Sequence, residues 1–296
     1  MQLKTVLQTF RLPFLVLTPV CVFLGLSTTL ASHAPVDGLV IALVLVGAVA
    51  AHISVNALNE YHDFNSGLDL ATNRTPFSGG SGALPGNPEA ATAVLLAGLV
   101  SLLLTITIGC YFMIISGLSI LPVGIAGIAL VVTYTQWVNR SPLLCLIAPG
   151  LGFGTLMVVG TQLALTGNYA SPVWQVSLVP FFLTNNLLLL NQYPDIDADA
   201  RVGRKTFPIA FGTSNSNIVY GLFMAAAYAT IVLLVVKREI PGMGIIALLP
   251  MALSLFALGG AIVHSSRIGE HPRYMAANVA AAILTPLLLG IAMIAG

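Results

Sequence analysis

Residues 37–63 read DGLVIALVLVGAVAAHISVNALNEYHD. No charged side chain interrupts the run between Asp37 and Glu60, and a helix needs roughly 20 such residues to cross the hydrocarbon of a bilayer. The apolar residues stand in succession and do not alternate with polar ones, which excludes the strand of a membrane barrel. The run then ends in a polar cluster, Asn59-Glu60-Tyr61-His62-Asp63. This stretch reads as a transmembrane helix that delivers acids to one face of a membrane.

The rest of the chain repeats the pattern. Of 296 residues, 57% are hydrophobic and only 7% charged, against about 25% charged in soluble domains. So little charge cannot cover a water-facing surface. Apolar stretches lie near 13–32, 37–58, 90–109, 112–134, 144–165, 173–193, 216–236, 243–264 and 275–295. The expected fold is all-α, a polytopic membrane protein with about nine transmembrane helices and short connections, one domain over 1–296. The first run follows Lys4 and Arg11; it is longer than the apolar core of a signal peptide and is read as the first span. Cys21, Cys110 and Cys145 lie in apolar runs, with no spacing for a metal or a disulfide framework. Eleven Lys and Arg against ten acids give no basic surface for nucleic acid; the lipid bilayer is the expected partner.

Cations set the orientation. With the N-terminus in the cytoplasm, that side holds Lys4, Arg11, Arg74, Arg140, Arg201, Arg204, Lys205, Arg267 and Arg273, and the other only Lys237 and Arg238. The reading is N-terminus cytoplasmic, C-terminus outside.

Six of the ten acids fall in two short clusters, Glu60, Asp63 and Asp69 after the second span and Asp195, Asp197 and Asp199 after the sixth. Acids at a membrane bundle are costly and mark function. The clusters resemble each other: Asn59-Glu60-Tyr61-His62-Asp63 matches Asn191-Gln192-Tyr193-Pro194-Asp195 as Asn-x-Tyr-x-Asp. Each ends an even-numbered span. Four-helix pseudo-repeats over 11–134 and 144–264, with a ninth helix appended, would place a site between the halves. Asn59 and Asp63 are four apart and share a helix face, as do Asn191 with Asp195 and Asp195 with Asp199. Carboxylates gathered at one mouth repel without a cation. Hard oxygen donors suit Mg²⁺, which binds through one or two carboxylates plus substrate phosphates. Arg74 after the first cluster, and Arg201, Arg204 and Lys205 after the second, suit a metal–phosphate complex better than a bare cation. The bland alternatives are helix caps for the acids, topology anchors for the cations and a satisfied interior residue for His52. Ser78-Gly79-Gly80-Ser81-Gly82 reads as a flexible loop, a mobile lid or plain linker, with a phosphate cradle of backbone N–H groups as the lesser alternative.

With these residues the chain resembles the UbiA-type intramembrane prenyltransferases. Asn59-x-x-x-Asp63 with Gly67 and Asp69 is similar to their first aspartate-rich motif, and Asp195-x-x-x-Asp199 with Gly203-Arg204-Lys205-Thr206 to their second. The first motif, the stretch from Phe77 to Pro85 and Tyr134-Thr135 are most similar to the dihydroxynaphthoate branch, which serves menaquinone biosynthesis. The resemblance implies a helical bundle around one central cavity, open sideways to lipid. It implies transfer of a prenyl chain from a polyprenyl diphosphate to a small aromatic acceptor, with Mg²⁺, in a cell membrane. It implies that Asp63, Asp69, Asp195 and Asp199 hold the metal. Asn59 and Asn191, with Arg74, Arg204 and Lys205, would hold the diphosphate, and Tyr134 would face the allylic carbon. Arg11 approaches the same place. Two features depart from the family: Glu60 stands where an Asp is usual, and Gly150-Leu151-Gly152-Phe153 lacks an acid common in that branch. Other acceptors on the same scaffold (hydroxybenzoate, homogentisate, chlorophyllide, haem, a lipid glycerol) stay open, as does a cation transporter. A transporter predicts charge deep within several spans, whereas here it gathers at one face.

Overall fold

A computed structural model describes residues 2–169 and 172–296, and the regular structure in them is helical throughout. A short helix α1 (Gln2–Thr9) precedes the bundle. The long helices are α2 (Leu12–Ala31), α3 (Gly38–Asn65), α4 (Pro88–Ile115), α6 (Pro142–Thr166), α7 (Val173–Asn191), α8 (Phe207–Val236), α9 (Gly242–Glu270) and α10 (Pro272–Ala295), with the shorter α5 (Leu118–Thr133) between α4 and α6.

Among the described residues eight helices are thus long and apolar enough to cross a membrane, and the ninth expected span is the short α5. From Ala90 to Asn139 there is no Asp, Glu, Lys or Arg. Hydropathy alone cannot find a turn in such a run. The chain turns at Ser116-Gly117, six residues later than the apolar stretches suggest, and Pro122 lies in the first turn of the α-helical part of α5. α3 runs to Asn65, so Asn59, Glu60 and Asp63 sit on its last turns instead of following it. α7 stops at Asn191. Asn191 and Asp195 therefore do not share a helix face as their spacing suggests; a turn intervenes, with Asp195 N–H donating to Gln192 O at 3.2 Å. Asp195 and Asp199 do share one, on the helix Ile196–Arg201, where Asp199 N–H donates to Asp195 O at 2.8 Å.

The bundle exposes large apolar residues and packs small and polar ones inside. Leu96, Val100 and Leu103 of α4, Leu222 and Leu233 of α8, and Ile262 and Val263 of α9 face outward. Inside lie Ala257, Ala261, Ser254 and Asn278. Lipid tails are as apolar as leucine, so helices associate through close packing and interhelical hydrogen bonds. Gly154 of α6 shows the packing: a Cβ there would stand 2.3 Å from the backbone nitrogen of Phe181 on α7. The hydrogen bonds close a buried ring. Asn186 Nδ2 donates to Tyr220 O at 2.9 Å, Tyr220 Oη to Asn278 Oδ1 at 2.8 Å, and Asn278 Nδ2 to Asn186 O at 3.1 Å. This ring ties α7, α8 and α10 behind the site.

Candidate active site

Both acidic clusters lie at the same end of the bundle, the end that also carries α1. They open on one cavity of about 530 Å³, a size suited to a small-molecule site. Its polar end is lined by Arg11, Asn59, Asp63, Asp69, Asn191, Asp195, Asp199 and Arg204. Its depth is lined by apolar residues of α3, α4, α5 and α6, among them Val44, Ile106, Ile128 and Leu156.

Arg204 joins the two clusters. It bonds Asp63 through Nη2 and Asp199 through Nη1, the latter at 2.9 Å. Its backbone N–H donates to Asp199 O at 3.1 Å, which folds the segment after Ile196–Arg201 back onto the site. The carboxylates Asp63 and Asp199 outweigh the burial of the guanidinium and raise its pKa further above the ordinary arginine value. Asn59 completes this layer: its Nδ2 donates to Asp63 Oδ2 at 2.8 Å, and its Oδ1 accepts from Thr135 Oγ1 at 3.1 Å.

Among the described residues Asp69 and Asp195 make no ion pair. Asp69 is buried, and burial together with Glu60 and Asp63 pushes its carboxyl up to about 7. Burial and Asp199 push Asp195 up to about 7 against the pull of the Gly79 N–H. Burial also raises Asp199, against Arg204. Asp69 Oδ2, Asn191 Oδ1, Gln192 Oε1 and Asp195 Oδ1 are buried with no hydrogen-bond partner, and all four residues line the cavity. An unpaired buried acceptor costs about 1–3 kcal/mol, more for a charged one. Four oxygen acceptors without donors fit a hard cation. Among the described residues no three carboxylate, imidazole or thiolate groups gather as a closed metal site. The donor set therefore fits Mg²⁺ held by one or two carboxylates and completed by water and phosphate oxygens.

Tyr134 follows α5 and lines the cavity, and burial raises its hydroxyl pKa. Two expected phosphate contacts lie elsewhere. Arg74 is exposed, its Nη2 donating to Asp69 O at 2.7 Å. Lys205 is exposed, its backbone N–H donating to Asn139 O at 2.9 Å. Neither lines the cavity. Arg11 does, and it was legible only as an approaching cation. Glu60 was legible only as an odd member of its motif: it binds Arg11 Nη2 at 2.6 Å and Ser81 Oγ at 2.6 Å. The two motif tyrosines differ as well. Tyr193 is buried in the core, its hydroxyl donating to Asn217 Oδ1 at 2.8 Å.

Several known proteins share this architecture and sequence. A UbiA homologue from Archaeoglobus fulgidus bound to DMAPP and Mg²⁺ superimposes with a TM-score of 0.69 at 16% identity, covering 98% of this chain and 99% of that one. A digeranylgeranylglyceryl phosphate synthase gives 0.71 at 14% identity, covering 100% and 99%. In sequence, the 1,4-dihydroxy-2-naphthoate octaprenyltransferase of Bacillus subtilis (strain 168) is 28% identical over 218 residues, 71% of this chain and 68% of that protein. The enzyme of the same name from Haemophilus influenzae is 25% identical over 195 residues, 64% of this chain and 63% of that protein. The UbiA prenyltransferase family profile matches residues 17–278. That match takes in both acid clusters and every span except the start of the first and most of the last, so the chain is a member of the UbiA prenyltransferase family.

Proposed function

We propose that this chain transfers a prenyl group from a polyprenyl diphosphate to dihydroxynaphthoate in an Mg²⁺-dependent reaction, at the cytoplasmic face of a cell membrane with its N-terminus inside. The observation that carries the reading is one chamber with unpaired oxygen acceptors at its end and apolar walls along its depth. The acceptor follows the dihydroxynaphthoate octaprenyltransferases to which the chain is similar. The nine-to-two split of cations supports the orientation.

Asp69, Asn191 and Asp195, each with an unpaired oxygen, would hold the metal–diphosphate complex, joined by Asp63 and Asp199 if Arg204 passes to the phosphate. When bound, Mg²⁺ supplies positive charge to the departing diphosphate. Arg204 and Arg11 line the same end and stabilise the charge that grows on the phosphate oxygens as the allylic C–O bond breaks. Tyr134 stands on the wall beside this end, placed to face the allylic carbon. The electron-rich ring carbon forms the new C–C bond to the allylic carbon and then sheds its own substituent, a proton or carbon dioxide, to restore aromaticity, while the apolar lining keeps water from capturing the cation first. The tail lies along the deep walls, each buried CH₂ contributing roughly 0.8 kcal/mol. Arg74 and Lys205, exposed outside the lining, draw the anion toward the mouth and do not seat it.

The test is incubation of the purified protein in nanodiscs with a labelled polyprenyl diphosphate and a panel of aromatic acceptors, with Mg²⁺ or with EDTA. Prenylated naphthoate product that disappears with EDTA is expected. Product with another acceptor only would overturn the assignment of substrate, and undiminished product in EDTA the assignment of metal.

A further inference from the structure

Glu60 sits in sequence between Asn59, proposed for the diphosphate, and Asp63, proposed for the metal, and reads as one more acid for the cation. Helix geometry separates it from them. Successive residues turn by about 100°, so Glu60 leaves the face that Asn59 and Asp63 share and points toward the flank where α1 meets α2. There its carboxylate is fully used. Oε1 accepts from Arg11 Nε at 2.8 Å and from Ser81 N–H at 2.8 Å, and Oε2 from Ser81 Oγ at 2.6 Å. The residue is wholly buried and absent from the cavity lining. Asp69 and Asp195, by contrast, line the cavity with an oxygen unpaired.

Two things hang on Glu60. Arg11 adopts the left-handed conformation, φ 54°, which costs a non-glycine residue about 1–2 kcal/mol and persists only where its surroundings hold it. The second is the loop Ser78–Gly82. Ser81 is pinned to Glu60, while two residues earlier Gly79 N–H donates to Asp195 Oδ2 at 3.0 Å. The loop is thus slung across the polar end of the cavity, from the first acid cluster to the second. Gly80 passes so close to the first that a Cβ there would stand 2.8 Å from Asp69 Oδ1.

The geometry points to Glu60 as a positioning residue, which anchors Arg11 and the glycine loop over the bound diphosphate and does not ligate the cation. This rests on the proposed diphosphate site. A cation held at the unpaired Asp195 Oδ1 would draw on the same carboxylate that accepts from the Gly79 N–H through Oδ2, and that N–H could then pass to a phosphate oxygen while Ser81 stays pinned. Glu60 fixes one end of the loop so that the other can exchange partners.

The experiment compares Glu60→Ala and Glu60→Gln with Asp195→Asn. The glutamine keeps one acceptor oxygen for Arg11 and the Ser81 N–H, and loses the charge and the second acceptor. Loss of charged hydrogen bonds predicts a KM for the polyprenyl diphosphate raised about tenfold or more in Glu60→Ala and less in Glu60→Gln. The Mg²⁺ concentration for half-maximal rate stays near that of the unaltered protein, whereas Asp195→Asn raises it. Hydrogen exchange supplies a readout without turnover: Mg²⁺ with inorganic pyrophosphate slows exchange over residues 77–83 in the unaltered protein, and Glu60→Ala abolishes that protection while the α8 and α10 amides stay as before. The exchange result stands even if dihydroxynaphthoate proves the wrong acceptor. A raised Mg²⁺ requirement in both Glu60 variants, or loop protection unchanged by them, would overturn the inference.

Discussion

Arg204 is the residue on which the resting site is balanced. Its guanidinium lies between Asp63 and Asp199, largely buried with both carboxylates. Removing one partner of a buried ion pair costs roughly 3–5 kcal/mol, because the other charge stays buried alone. Arg204→Ala should therefore lower thermal stability in EDTA, and Mg²⁺ should restore more of it than it adds to the unaltered protein, since the cation takes over the vacated carboxylates. Melting curves with and without Mg²⁺ decide it; equal Mg²⁺ responses would remove Asp63 and Asp199 from the cation's seat. Asp63→Asn and Asp195→Asn should each cut prenyl transfer nearly completely and the double variant little further, because residues acting as a unit are not additive. About half the activity in each single variant would mean two independent sites. At this scale the sequence shows which acids matter through the Asn-x-Tyr-x-Asp echo. It does not show their partners: Arg204 reaches Asp63 across 141 positions, a distance that only the folded bundle closes. Glu60 needed the helix register together with the position of α2.

Among elements, α5 and the α7–α8–α10 knot answer different questions. Gly124 and Gly127 of α5 line the cavity, and a Cβ at either meets nothing within 4 Å. A larger side chain enters the space proposed for the tail. Gly127→Leu should lower kcat/KM for long polyprenyl diphosphates while leaving dimethylallyl diphosphate nearly unaffected; an equal loss for both would place the tail elsewhere. The knot is structural. Asn278→Ala deletes two buried interhelical hydrogen bonds, each worth about 0.6 and at most about 1.7 kcal/mol in membrane proteins. A lower melting temperature with normal turnover at 25 °C is the expected result. Helix existence was readable from apolar runs at every span. Helix ends were not, where the run from Ala90 to Asn139 offers no charge, or where α3 carries its polar motif two turns past its apolar stretch.

For the whole molecule, the proposed topology places residues 66–87 and 192–206 on one side, and the contacts agree that these loops share an end: Gly79 reaches Asp195, and Gly269 packs against Thr75 and Pro194. Single cysteines at exposed Asn73 and Arg201, in a background lacking Cys21, Cys110 and Cys145, should react with a membrane-impermeant maleimide only from the cytoplasmic side. Labelling from opposite sides would overturn both the topology and the single site. Cation counting gives an expected orientation because it needs only the placement of Lys and Arg between spans; the cavity, lined by residues of α2 to α7 and of α10 together, is not written in any one of them.

The short α5 carries a consequence of another kind. Its 13-residue α-helical part has no buried side chain and rises about 20 Å, against a hydrocarbon thickness of about 30 Å. Among the helices that wall the chamber, α5 is thus the least gripped by protein and the most mismatched to its solvent. A bilayer meets such mismatch by thinning or by tilting the helix, so acyl-chain length bears directly on that wall. Bilayer thickness is therefore expected to change the shape of the chamber, and turnover compared in thin and thick bilayers checks it.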